Sequence, residues 1–247
     1  MIQQKSAADI RAMEEGGAIL KELLALLATE VKPGIQTRKL DGIAADYIRS
    51  RGAQPSFLGY DGFKGTLCVS IDEEVIHGIP GAKIIREGDL VKVDAGVFYK
   101  GLHTDAARTF LAGEVSADKR RLAEVAKECF FKALEKARPG ARMGDVSHAV
   151  QVHAEANGFS AVRDYTGHGI GANLHEDPSV PNFGQPGRGI RLTEGMTIAI
   201  EPMINAGGHA IRKSKDGWTI VAADRKPSAH YENTVAITAA GARILTE

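Results

Sequence analysis

The stretch LVKVDAGVFYKGLHTDAARTFL, residues 90–111, reads as two strands that turn near Tyr99-Lys100-Gly101. A turn centred on Tyr99-Lys100 sets Asp94 and Asp105 directly opposite each other. Centred on Lys100-Gly101, it makes them diagonal neighbours. Either register places both side chains on one face of the sheet. Aspartate is a poor strand residue, and two on one face of an apolar hairpin repel each other. A cation is the simplest compensation, because buried carboxylates are costly unless paired or coordinated.

The same arrangement recurs further along the chain. At an offset of 106, KELLALLATEVKPGIQTRKLDGIAADYIRSRG (21–52) lies over KECFFKALEKARPGARMGDVSHAVQVHAEANG (127–158). Each copy reads as a helix, a Pro-Gly stop and an amphipathic helix ended by glycine. At an offset of 107, EGDLVKVD (87–94) overlies EGMTIAIE (194–201), and at 127, HTD (103–105) overlies HYE (230–232). The overlays superpose Asp94 on Glu201 and Asp105 on Glu232. Strand-like stretches surround them: LVKVDAGVF, RTFLAG, MTIAIEPMI and NTVAIT. The larger last offset implies an insertion of about twenty residues around 206–225. The expectation is an α/β (α+β) fold, duplicated about a pseudo-two-fold, with a central, mainly antiparallel sheet and helices outside. One catalytic domain spans 1–247, in two related halves, roughly 1–111 and 112–247.

Composition fits this reading. The 247 residues are 43% hydrophobic and 25% charged, with zero formal net charge, which argues against binding nucleic acid through a global basic field. Residues 1–20 carry charges throughout and hold no apolar signal core, and no uninterrupted apolar run is long enough to span a bilayer. The two cysteines, Cys68 and Cys129, form neither a metal motif nor a disulfide framework, so they are read as reduced and packed. The expected compartment is the cytoplasm.

The segment DYTGHGIGANLHEDP, 164–178, sets His168 and His175 among three glycines, which allow backbone and substrate to approach the ring closely. Gly167-x-Gly169-x-Gly171 mimics a dinucleotide loop, but Pro178 and Pro181 leave little room for the helix such a loop requires. Four carboxylates and an imidazole make a hard, oxygen-rich site. It suits manganese, iron or cobalt, then zinc, and magnesium or calcium less well. Two bridging carboxylates would hold two cations roughly 3.5–4 Å apart, as in two-metal hydrolases.

Taken together, the Asp94/Asp105 hairpin, Gly-His168-Gly-Ile-Gly, Glu201-Pro202 and Ser228-Ala-His-Tyr-Glu232 resemble the methionine aminopeptidases. The resemblance covers essentially the whole chain. It implies the "pita-bread" fold shared with prolidase, aminopeptidase P and creatinase, and the type I form, since neither an N-terminal domain nor a long helical insertion is present. By position, Asp94 would ligate a first metal, Asp105 and Glu232 would bridge, and His168 and Glu201 would complete the second. The resemblance implies two divalent ions per chain (cobalt, manganese, iron or zinc) and hydrolysis by a hydroxide bridging them. Glu201 would be the proton shuttle, His175 would steady the substrate carbonyl, and His77 would lie beside the scissile amide. A methionine pocket would be lined by Phe57, Tyr60, Phe63, Cys68, Leu174 and Trp218. The implied substrate is the N-terminal methionine of nascent chains with a small second residue, met near the ribosome exit by a monomer that binds neither nucleic acid nor membrane. Because this chain opens Met1-Ile2, it should not process itself.

Three positions depart from the family's pattern. His230 stands where glutamine is common, Asn233 where histidine is common, and Leu174 where phenylalanine is common; none is expected to be a ligand. The competing functions are an Xaa-Pro peptidase of the prolidase kind and an idle binding module of the same fold. A proline-containing peptide separates the first, and a metal titration the second.

Overall fold

In the computed structural model, residues 2–247 are described, and Met1 lies outside them. Helix α1 (Ala7–Glu30) starts where the Ser6 hydroxyl accepts the Asp9 N–H and the Asp9 carboxylate accepts the Ser6 N–H. Its buried residues Met13, Leu20, Leu23, Leu24 and Leu27 recur at helical spacing and form one face. After Pro33-Gly34 comes α2 (Thr37–Ser50), which buries Leu40, Ala44 and Ile48. Helices α3 (Ala117–Leu134) and α4 (Met143–Ala156) repeat this order around Pro139-Gly140. Gly52 and Gly158 follow α2 and α4 with φ of 69° and 79°, left-handed positions that stop a helix.

The 90–111 stretch forms the strands Leu90–Tyr99 and Leu102–Leu111. Tyr99 pairs with Leu102, so the turn is Lys100-Gly101, both at positive φ (51° and 82°), as a tight hairpin demands. Asp94 therefore faces Ala107, and Asp105 faces Gly96. The diagonal register is the one adopted. Leu67–Ile71 and Gln54–Pro55 complete this antiparallel sheet, and α1 and α2 cover it through a core that includes Leu20, Leu27, Ile48, Val69, Val93 and Val97.

A second, five-stranded sheet runs Gly241–Ile244, Asn233–Thr238, Thr197–Ile200, Thr166–Gly169, Glu176–Pro181, and α3 and α4 belong to its core. The stretch MTIAIEPMI is not one continuous strand. Pro202 has no N–H to continue the ladder, so the chain breaks at Glu201-Pro202. It resumes as Met203–Asn205 with a new partner, Ser228–His230. Residues 206–225 contain a hairpin, Ile211–Lys213 with Ile220–Ala222, whose second strand pairs with Glu74–Ile76.

The two larger sheets meet edge to edge at the carboxylates. Ala107 and Glu232 exchange N–H···O bonds of 3.3 and 3.0 Å. Two residues along each strand, the Asp105 N–H donates to Thr234 Oγ1 (2.8 Å), whose hydroxyl donates back to the Asp105 carbonyl (2.9 Å). This seam fixes Asp105 and Glu232 relative to each other through their backbone groups, with the short Thr234 hydroxyl as the one side-chain link. Among the described residues no helix is long and apolar enough to cross a membrane.

Candidate metal centre and active site

Asp94 and Asp105 come from the first hairpin, Glu232 from the seam, Glu201 from the strand break and His168 from the Thr166–Gly169 strand. All five line one cavity of about 280 Å³. Asp105 and Glu232 are 4% and 2% exposed, yet Asp94 Oδ1, Asp105 Oδ1 and Glu232 Oε1 have no hydrogen-bond partner. Buried polar atoms are almost always satisfied, so several converging orphaned acceptors call for a positive partner. Ligand atoms from Asp105, His168 and Glu232 lie within 4.8 Å of one another, and so do those from Asp94, His230 and Glu232. The donor set fits divalent cations.

Electrostatics agree. Burial pushes Asp94 up to about 7, and it holds Asp105, Glu201 and Glu232 well above the usual carboxylate range. The negative charges of their neighbours add to that upward push on the last three. His168 is depressed to about 3, first by burial and then by His175. Its imidazole is neutral, and Nδ1 donates to the Gly169 carbonyl (2.8 Å), so Nε2 presents a lone pair 3.5 Å from Glu201 Oε1.

The glycines around His168 serve strand packing. A Cβ on Gly167 would sit 2.3 Å from the Ala199 carbonyl oxygen, and one on Gly169 2.2 Å from that of Asp177. The backbone approach expected from the sequence is present, but it is made to neighbouring strands. Gly167→Ala should therefore cost about 1–3 kcal/mol through overpacking. Chemical denaturation checks this; a variant as stable as the parent would show that the strand yields freely.

His175 Nδ1 lies 2.7 Å from the Tyr60 hydroxyl, and the His175 ring stacks edgewise on that of His168 at 4.3 Å. His77, half-buried and at φ 60°, packs edgewise on Tyr165. Phe57, Phe63, Cys68 and Leu174 are buried around one side of the cavity, where Trp218 meets Phe63 edgewise at 5.0 Å, and Tyr60 is exposed beside His175. Every site residue expected from the sequence thus lines the same cavity, together with Asp61, which was not foreseen. Cys68 and Cys129 are free and buried, and burial raises both thiols, so neither offers a ready thiolate.

Residues 11–239 match metallopeptidase family M24. The chain belongs to this family. It is similar to the methionine aminopeptidase of Clostridium perfringens, 51% identical over 246 residues that cover 100% of this chain and 99% of the relative. The crystal structure of a methionine aminopeptidase from Thermotoga maritima superposes with a TM-score of 0.98 at 42% identity, covering 100% of both chains. A prolidase from Pyrococcus furiosus shares the fold at a TM-score of 0.81 and 24% identity; this chain covers 65% of it. The pita-bread expectation holds, and membership of the M24 family makes the chain a metal-dependent peptidase by kinship.

The departures from the family's pattern now have places in the M24 framework. Asn233 Oδ1 accepts from Arg108 (2.8 Å) and from the Thr246 hydroxyl (2.9 Å). Arg108 also donates to the Glu232 carbonyl (2.6 Å) and lies over the Tyr231 ring, so Asn233 helps brace the seam. Leu174 is a buried wall of the cavity. His230 stands within a candidate donor group, a placement that sequence reasoning missed. The signal in the sequence is its alignment with His103, in the overlay of HTD (103–105) on HYE (230–232).

Proposed function

We propose that this chain is a methionyl aminopeptidase that releases the N-terminal methionine of polypeptides whose second residue is small. The observation that carries the reading is the single cavity, with a floor of converging carboxylates and one wall of Phe57, Phe63, Cys68, Leu174 and Trp218. Such a wall suits a flexible thioether, which makes favourable contacts with aromatic edges and sulfur. Asp94, Asp105, His168, Glu201 and Glu232 would hold two divalent cations, with cobalt, manganese, iron and zinc all suited to the donors. When bound, such a pair supplies Lewis acidity to the scissile carbonyl and acidifies water. Glu201, on the strand break and open to the cavity, accepts the proton of the attacking water and returns it to the leaving amine. His175 donates to the substrate carbonyl as charge develops there, and His77 flanks the scissile amide. We place the enzyme in the cytoplasm as a monomer, acting on chains as they leave the ribosome, with 1–247 as one catalytic domain.

Peptides test the assignment directly. Met-Ala-Ser should be cleaved at least about a hundredfold more efficiently than Met-Ile-Ser, because a crowded site misplaces the bulkier substrate by something like an ångström. Preference for a substrate with proline after the scissile bond, and none for methionine before it, would instead establish the prolidase-like reading. Removing divalent ions should lower Tm. At a hundred times Kd a ligand contributes about 2.7 kcal/mol, or roughly 5–10 °C for a domain of this size. A chain whose melting ignores both chelator and added cobalt or manganese would be the idle binding module.

A further inference from the structure

We propose that His230 is a sixth protein ligand of the metal centre, joining Asp94 and Glu232 through Nε2 so that each of the two cations has its own imidazole. The inference rests on the metal reading above and extends it at a residue where the family's pattern puts no ligand.

Three observations carry it. His230 is 1% exposed, and neither Nδ1 nor Nε2 has a hydrogen-bond partner. A buried imidazole with no protein donor or acceptor for either nitrogen is costly unless something binds it. Secondly, its ring lies against two of the cavity's carboxylates. Nε2 lies 3.6 Å from Glu232 Oε2 and 3.7 Å from Glu201 Oε2. Those separations are too long for hydrogen bonds, which run to about 3.2 Å. The 3.6 Å to Glu232, the carboxylate expected to serve both cations, matches two donors on one cation, since bonds of about 2.1 Å at 90–120° hold ligand atoms roughly 3.0–3.6 Å apart. The pair already assigned to the second cation, His168 Nε2 and Glu201 Oε1, stands at 3.5 Å. Thirdly, the ring is held from behind. The His230 N–H donates to Thr109 Oγ1 (3.0 Å) and the Thr109 hydroxyl donates to the His230 carbonyl (2.8 Å), which ties its strand to the Leu102–Leu111 strand. The imidazole is presented by rigid backbone on the seam, as Asp105 and Glu232 are.

The two donor groups then have the same composition. Asp94–His230–Glu232 and Asp105–His168–Glu232 each contain one aspartate and one histidine, and they share a glutamate. An imidazole on the first cation shifts that position from an all-oxygen set toward zinc, iron or cobalt and away from magnesium or manganese.

The test counts imidazoles. With cobalt(II) at two equivalents, X-ray absorption of the wild-type protein should show one histidine per cobalt on average. His230→Gln should halve that count and weaken the tighter or the looser of the two cobalt equivalents by roughly 10–100-fold in calorimetry, leaving the other near its original affinity. His168→Ala should also halve the count, and the double variant should show no imidazole. An average of half a histidine per cobalt in the wild type, or an unchanged count in His230→Gln, overturns the proposal while leaving the five-ligand centre intact. Failure of the wild type to bind cobalt at all would instead overturn the metal reading. Because the wild-type measurement decides by itself, a variant that fails to fold does not rescue the idea.

Discussion

Replacing Asp105 with asparagine is expected to lower kcat/KM for a Met-Ala peptide by about a thousandfold or more, the equivalent of at least about 4 kcal/mol. Asparagine keeps the shape of the side chain, so the Asp105 N–H can still reach Thr234 and the seam persists. What is lost is a negative charge at the point where two ligand groups are expected to share a cation, beside Asp94 and Glu232. The same substitution relieves repulsion among buried acids. The metal-free variant should therefore be at least as stable as the metal-free parent, while the stabilisation that the parent gains from added cobalt or manganese should shrink. A fall in activity with an equal fall in metal-free stability would point to a folding defect. Wild-type turnover with full metal occupancy would remove Asp105 from the centre altogether.

The legible parts of this fold were those encoded by local pattern. Helical spacing, the two Pro-Gly stops and the glycines after α2 and α4 are backbone signals, and the structure places elements where they fall. The local pattern of the hairpin allows two registers, because only pairing across the sheet decides between them. MTIAIEPMI is one apolar stretch by pattern, yet Pro202 both ends the ladder and hands Met203–Asn205 to a different sheet. The seam between Ala107 and Glu232 has no sequence signature, since it joins residues far apart along the chain through backbone groups that every residue carries. The acids were legible because aspartate and glutamate are out of place among strand residues. His230 was not, because a lone histidine in a strand is ordinary until its neighbours are known.

His175 offers the second large effect. His175→Ala should lower kcat by about 10²–10³-fold, the range for losing one donor to a developing oxyanion, with KM and metal stoichiometry nearly unchanged. The side chain is exposed at the cavity, outside both candidate donor groups, so it can reach substrate without holding the centre together. Donation from Nε2 requires the proton there, which means that Nδ1 accepts from the Tyr60 hydroxyl 2.7 Å away. Tyr60 is thus a positioning residue for His175 as well as part of the cavity wall. Tyr60→Phe should cost roughly tenfold in kcat, the scale of one neutral hydrogen bond of about 1–1.5 kcal/mol. In a His175→Ala background the same change should cost little, because its effect runs through the imidazole. His168→Ala provides the contrast, since the imidazole assigned as a ligand should take metal with it when removed. Kinetics and metal analysis on the four variants separate these roles. Equal metal loss in His168→Ala and His175→Ala would make both histidines ligands, and a full Tyr60→Phe penalty in the absence of His175 would show that Tyr60 acts on the substrate by itself.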